Sequence, residues 1–261
     1  YGVAPSAATQ SLGQLILGGE PPSAPPAAAG AGLPTALRRP PRLVGRGTLL
    51  ADVERCLALG HAVVLAGHGG MGKSRLLQEL ALRHDGALLV AASPADALMP
   101  DALLGRVLAR ALARWQAPLD DATRQDLAHL LPGAGAPGGL QSAQDRQRVL
   151  RAAVRALHAC HRQGLQAVLL DDLQHADEAS LEGLMVLTSH WIRRQAGALP
   201  VIGTRPDELG AAGRRLLDQL ADSGRAARFD LAPLAHEDLL ALLQTLPLPD
   251  PPADAAWREA L

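Results

Sequence analysis

Lys73 is the chain's only lysine among 25 cationic side chains, and it stands in Gly67-His68-Gly69-Gly70-Met71-Gly72-Lys73-Ser74. This run meets the GxxxxGK[ST] pattern at every fixed position. The chemistry explains the residue types. Glycines let backbone N–H groups approach phosphate oxygens, and a compact ammonium lies against the β- and γ-phosphates where a broad guanidinium fits poorly. A serine hydroxyl at the last position can ligate Mg²⁺. Gly67, His68, Gly69, Gly70, Met71, Gly72, Lys73, Ser74 and Arg75 are the expected phosphate-binding set, with Lys73 also acting in catalysis. The implied cofactors are ATP or ADP with Mg²⁺.

Two further runs carry chemistry. Ala167-Val168-Leu169-Leu170-Asp171-Asp172 is an apolar stretch ending in two acids. As a strand it would deliver both carboxylates to the carboxyl edge of a sheet, where ligands bind in open α/β folds. Asp171 is the expected metal ligand beside Ser74, and Asp172 the carboxylate that orients or deprotonates a water. Pro200-Val201-Ile202-Gly203-Thr204-Arg205 would bring a hydroxyl and a cation to the same edge, with Arg205 facing the γ-phosphate. A surface arginine at a strand end reads the same run equally well.

The elements that must position these groups are legible in the hydropathy pattern. Strands are expected at 62–66, 87–92, 166–171, 199–204 and 227–231. Helices are expected at 48–59, after Ser74, across a long stretch of 101–163 broken by the turn-rich 131–139, from Glu178 to Trp191, and from His236 to Leu243. The second helix of the 101–163 stretch carries Val149, Leu150, Val154 and Leu157 at helical spacing and stops at Gly164. Alternation of strands and helices predicts an α/β fold, a five-stranded mostly parallel sheet between helices in the 5-1-4-3-2 order. Residues 1–19 read as the end of a preceding helical domain, 20–41 as a Pro/Ala/Gly-rich linker, 42–232 as the nucleotide-binding domain and 233–261 as the start of a truncated helical domain.

Composition narrows the classes. The net charge is −1 and the pI about 6.8, so nothing attracts polyanions overall. Arg38, Arg39, Arg42 and Arg46 form a basic run broken by Pro40 and Pro41 and read as a solvated linker. Aromatic residues are too few for base-stacking platforms. Cys56 and Cys160 read as reduced thiols of a cytoplasmic protein, and no apolar run reaches membrane-spanning length. His158, Cys160 and His161 read as ordinary helix residues rather than a metal cluster, and Asp177 as a helix cap.

Taken in order, LVGR, GHGGMGKS, VLLDDLQHAD, IGTRPDEL and DLAPLAHEDLLALL resemble the STAND class of AAA-like P-loop ATPases. The resemblance is to those of large bacterial transcriptional regulators, and it covers about 42–245. The opening YGVAPSAATQSL is similar to the last helix of a bacterial transcriptional activation domain. The resemblance implies that Gly45 and Arg46 lie near the nucleotide base and that Arg205 senses the γ-phosphate. It also implies a slowly hydrolysing regulatory switch acting on flanking domains, with DNA contacted only through parts outside this sequence, no membrane, and nucleotide-dependent oligomers as a further state. Three departures stand out. His175 occupies a position usually held by Trp, Gly47-Thr48-Leu49-Leu50 replaces an acid after VGR, and the later Gly-x-Pro element is not in the sequence. The alternatives are an oligomeric AAA-type motor with Arg225 or Arg228 acting on a neighbouring copy, a small-molecule kinase, and a scaffold with a dead site.

Overall fold

Five short runs, AVVLA, ALLVA, AVLLD, LPVIGT and AARFD, form the strands β1 (Ala62–Ala66), β2 (Ala87–Ala91), β3 (Ala167–Asp171), β4 (Leu199–Thr204) and β5 (Ala226–Asp230) of one sheet in a computed structural model. The structure describes residues 42–131, 142–194 and 197–245. The expected helix end at 1–19, the linker at 20–41 and the part of the C-terminal region beyond 245 lie outside the described residues. Residues 42–245 make one compact unit.

The strand order is β2-β3-β4-β1-β5, which read from the other edge is 5-1-4-3-2. All four pairings are parallel. The pattern explains why: β1 and β3 are buried at every residue, as strands covered on both faces must be. Successive side chains alternate between two cores. Val64, Leu88, Val90, Val168, Leu170 and Ile202 enter one, while Val63, Leu65, Leu169 and Val201 enter the other. The smaller core is closed by α1 (Gly47–Ala58) and α2 (Lys73–Arg83) through Leu50, Val53, Leu76, Leu77 and Leu80.

The larger core is closed by α3 (Ala102–Trp115), α5 (Ala143–Arg162), α6 (Glu178–Arg194) and α7 (Ala211–Asp222). Among the described residues the stretch expected as helical from 101 to 163 holds three helices, and Gln116 adopts a left-handed φ of 44° that ends α3 before the short α4 (Asp121–Leu127). No helix was expected at 211–222, where AAGRRLLDQLAD forms α7 with Gly213 in its first turn. A Cβ there would lie 2.6 Å from Leu209, so tight packing selects glycine despite its poor helix propensity. Asp177 caps as expected: its Oδ1 accepts from Ser180 N at the start of α6, and also from Asp101 N ahead of α3, both at 2.7 Å. The last described helix is α8 (His236–Gln244).

The β2 edge of the sheet is sealed by arginines. Arg106, Arg110 and Arg114 of α3 donate to the outward carbonyls of Ala91 (2.6 Å), Leu89 (3.3 Å) and Ala87 (2.9 Å), and Arg114 also reaches Asp85 O at 2.6 Å. Four helical residues rise about 6.0 Å and two strand residues about 6.6 Å, so arginines four apart match carbonyls two apart.

Candidate functional site

The carboxyl ends of β1, β3 and β4 converge on the glycine-rich loop. Strand β1 stops at Ala66, and a Cβ on Gly67 would sit 3.0 Å from the Leu231 carbonyl, so the loop leaves the sheet with no room for a side chain. Gly70 and Gly72 have φ of 80° and 88°, a region that disfavours side chains, and a Cβ on either would meet nothing within 4 Å. The loop therefore borders open space at the N-terminus of α2, where Gly72 is the cap. A helix N-terminus with a permissive glycine loop suits phosphate.

Lys73 is the first residue of α2 and only 5 % exposed. Its Nζ donates to Gly67 O at 2.7 Å and His68 O at 2.8 Å, which holds the ammonium inside the loop's own curve. Burial lowers its pKa and the charge of Arg205 lowers it further, against the opposing pull of Asp172, Asp171 and Glu208. All four partners belong to the sheet's carboxyl edge, so the lysine is the charge around which the site is arranged.

Asp171 ends β3 and is 7 % exposed. Burial raises its pKa, and a hydrogen bond from the Ser74 side chain partly offsets that. The Ser74–Asp171 pair is the donor set that Mg²⁺ favours, a hydroxyl beside a carboxylate oxygen. Asp172 follows with a left-handed φ of 52°, and its N–H donates to Asp171 Oδ1 at 3.0 Å. That turn lets two adjacent acids, which a strand would send to opposite faces, stay at one corner. At the end of β4, Thr204 is fully buried, and the guanidinium carbon of Arg205 lies 3.6 Å from where a Cβ on Gly69 would be.

A family model for the AAA ATPase domain matches residues 42–201. That span is more than half of the 261 residues. The chain belongs to the AAA ATPase domain family. It therefore carries a nucleotide-binding P-loop ATPase domain. No curated protein matches the chain. The match ends just short of Thr204 and Arg205.

Within this AAA domain the remaining expected residues fall into different places. Arg46 donates through Nη2 to Met71 O at 3.2 Å and to Ala232 O, tying the tip of the loop to the segment after β5, while its buried Nε has no partner. Gly45 has a φ of 67° and lies so close to α8 that a Cβ would come within 2.5 Å of the Asp238 carboxyl. Arg75 runs along α2 to Glu79 at 3.0 Å, and Glu79 also pairs with Arg83. Arg225 sits at the opposite, amino end of the sheet, where its carbonyl accepts from Ala62 N. Arg228 pairs with Asp230 on the exposed strand β5.

Three polar residues of the site were not singled out by sequence. Glu208 accepts from Arg205 Nη1 at 2.9 Å and 3.3 Å. Asp207 faces His68 Nδ1 at 3.3 Å. Gln174 joins Asp172 to the main chain of Arg205. The only signal each gave was its nearness in sequence to a residue that was singled out. Among the described residues no helix is long and apolar enough to cross a membrane.

Proposed function

We propose that this domain is an ATP-binding, slowly hydrolysing switch of a bacterial transcriptional regulator of the STAND type. The observation that carries the reading is the buried Lys73, held on two loop carbonyls and surrounded by Ser74, Asp171, Asp172 and Arg205. The loop amides of Gly69, Gly70, Met71 and Gly72, with Gly67, His68 and Arg75 beside them, would receive the phosphates, and Lys73 would leave its carbonyl partners for the β- and γ-oxygens. Mg²⁺ held by Ser74 and Asp171 would neutralise charge on those oxygens. Asp172 would accept the proton of a water attacking the γ-phosphorus as the bond to the β–γ bridging oxygen breaks, releasing ADP and phosphate.

Arg205 is the group best placed to tell ATP from ADP. It lies over Gly69, and Glu208 engages it while its Nε is buried without a partner. A γ-phosphate would compete with Glu208 for the guanidinium. Shifting a two-state equilibrium from 1:99 to 99:1 takes about 5.5 kcal/mol of preference, within reach of a few charge-assisted contacts to one phosphate. Arg46 and Gly45 link the loop to the segment after β5 and to α8, a route by which nucleotide state would reach a flanking domain. The regulator context rests on the ordered motifs of 42–245 and on the resemblance of residues 1–12 to an activation domain. A motor is less well supported, since Arg228 is paired with Asp230 in its own chain and Arg225 lies at the far end of the sheet.

Thermal unfolding with Mg-ATP, Mg-ADP and no nucleotide tests the reading, wild type beside Lys73→Ala. Ligand at a hundred times its Kd adds about 2.7 kcal/mol, or about 5–10 °C for a domain of this size. That shift is expected in wild type and lost in the variant. Equal melting temperatures under all conditions would refute nucleotide binding, and equal Kd for ATP and ADP would refute the switch.

A further inference from the structure

Gln174 touches both halves of the site. It lies in the 3-10 turn Leu173–His175 that comes after Asp172, and Leu173 anchors that turn in the larger core with no exposed surface. Its Nε2 donates to Asp172 Oδ1 at 2.8 Å. Its Oε1 accepts the main-chain N–H of Arg205 at 3.1 Å, with the Thr204 hydroxyl at 3.5 Å. The amide has one workable orientation, because an ionised carboxylate only accepts and a backbone N–H only donates. One side chain thus spans from the acid after β3 to the arginine after β4, at strands that are neighbours in the sheet.

The two ends of the bridge differ in rigidity. Thr204 is fully buried, whereas the Arg205 side chain is 35 % exposed and held mainly by Glu208. Asp172 is turned off the strand axis by its left-handed φ, so its direction depends on what its carboxylate bonds. We propose that Gln174 is a positioning residue that ties the Asp172 carboxylate to the main chain at Arg205, so that engagement of a γ-phosphate by the arginine re-aims the acid. This rests on the nucleotide-switch reading. The bridge needs a donor on one side and an acceptor on the other, which distinguishes glutamine from every residue that merely fills the same space.

Two variants of the full chain separate the two sides. Gln174→Met keeps the length and loses both hydrogen bonds. Gln174→Glu keeps an acceptor for Arg205 N–H and loses the donor to Asp172. Both should lower kcat about tenfold or more. The preference for Mg-ATP over Mg-ADP, read from the two Kd values, should fall in the methionine variant and stay within about twofold of wild type in the glutamate variant. Unfolding by urea without nucleotide supplies a readout independent of turnover: the midpoint shifts of Gln174→Met and Asp172→Ala should be non-additive in the double variant. Unchanged kcat in both variants, or the same loss of ATP preference in both, would overturn the proposal. If the wild type binds no nucleotide, the switch reading fails by itself, and the urea cycle still decides the bridge, additive shifts overturning it.

Discussion

Two regions of this domain use the same residue types for different ends. At the β2 edge, the buried Asp96 accepts from Ser93 N at 2.8 Å and from Arg106 Nη2, while Arg106 Nη1 caps Ala91 O. Both carboxylate oxygens and both terminal nitrogens are spent. At the carboxyl ends of β1, β3 and β4, the buried Asp171 has a pKa raised chiefly by burial, and Arg205 keeps a buried Nε without a partner. At Asp96 and Arg106 the hydrogen-bonding demands of the charges are met within the fold. Charges at the candidate site keep bonding capacity that a bound phosphate would take up.

The comparison breaks most sharply if the site residues prove structural. Asp172→Asn should lower turnover about a hundredfold or more, equivalent to at least about 2.7 kcal/mol in the barrier, while the Kd for Mg-ATP stays near wild type. A parallel loss of binding or of melting temperature would place Asp172 among the structural charges. Conversely, Asp96→Ala should cost about 2–3 kcal/mol in urea unfolding. Removing one member of a buried pair is expensive, and the 28 % exposure of Arg106 tempers the loss. Its Kd for Mg-ATP should not change.

Asp171→Asn sharpens the contrast from the other direction. The folded protein holds this carboxyl above its ordinary value of 3.8, so ionising it costs stability. That cost is absent below the ordinary value and grows as pH rises through the raised one. The nucleotide-free variant should therefore be more stable than wild type at neutral pH, by about 1 kcal/mol or less, with the gain vanishing in acid. It should also lose its Mg²⁺ dependence of nucleotide binding. Arg110→Ala should have the smallest effect, about 0.5–1 kcal/mol for one long hydrogen bond to Leu89 O, since Arg106 and Arg114 still cap the carbonyls on either side.

Much of the fold was legible in the residues. Runs of strand length separated by helical stripes gave the strands to within one residue, because the central strands β1 and β3 are buried on both faces and must read as continuous apolar runs. The division of the described residues after 101 into α3 and α4 was less visible, since it turns on the left-handed Gln116, and α7 was not among the expected helices. At the site, Arg205 reads equally well as a surface residue and stood out through the family resemblance, whereas Lys73, Ser74, Asp171 and Asp172 could be singled out because their types and spacings are chemically restrictive. Gln174 and Glu208 could not, because an amide or a surface acid fits almost any local sequence.

The sequence by itself determined that a lysine, a hydroxyl and a pair of acids occur at spacings suited to a nucleoside triphosphate, since strand and helix periods and glycine placement are local properties. Only the tertiary structure decided which of the charges have spare bonding capacity. That depends on which strands are neighbours, and the β2-β3-β4-β1-β5 order brings residues 67–74, 171–174 and 204–208 to one corner while leaving Arg225 at the other end of the sheet.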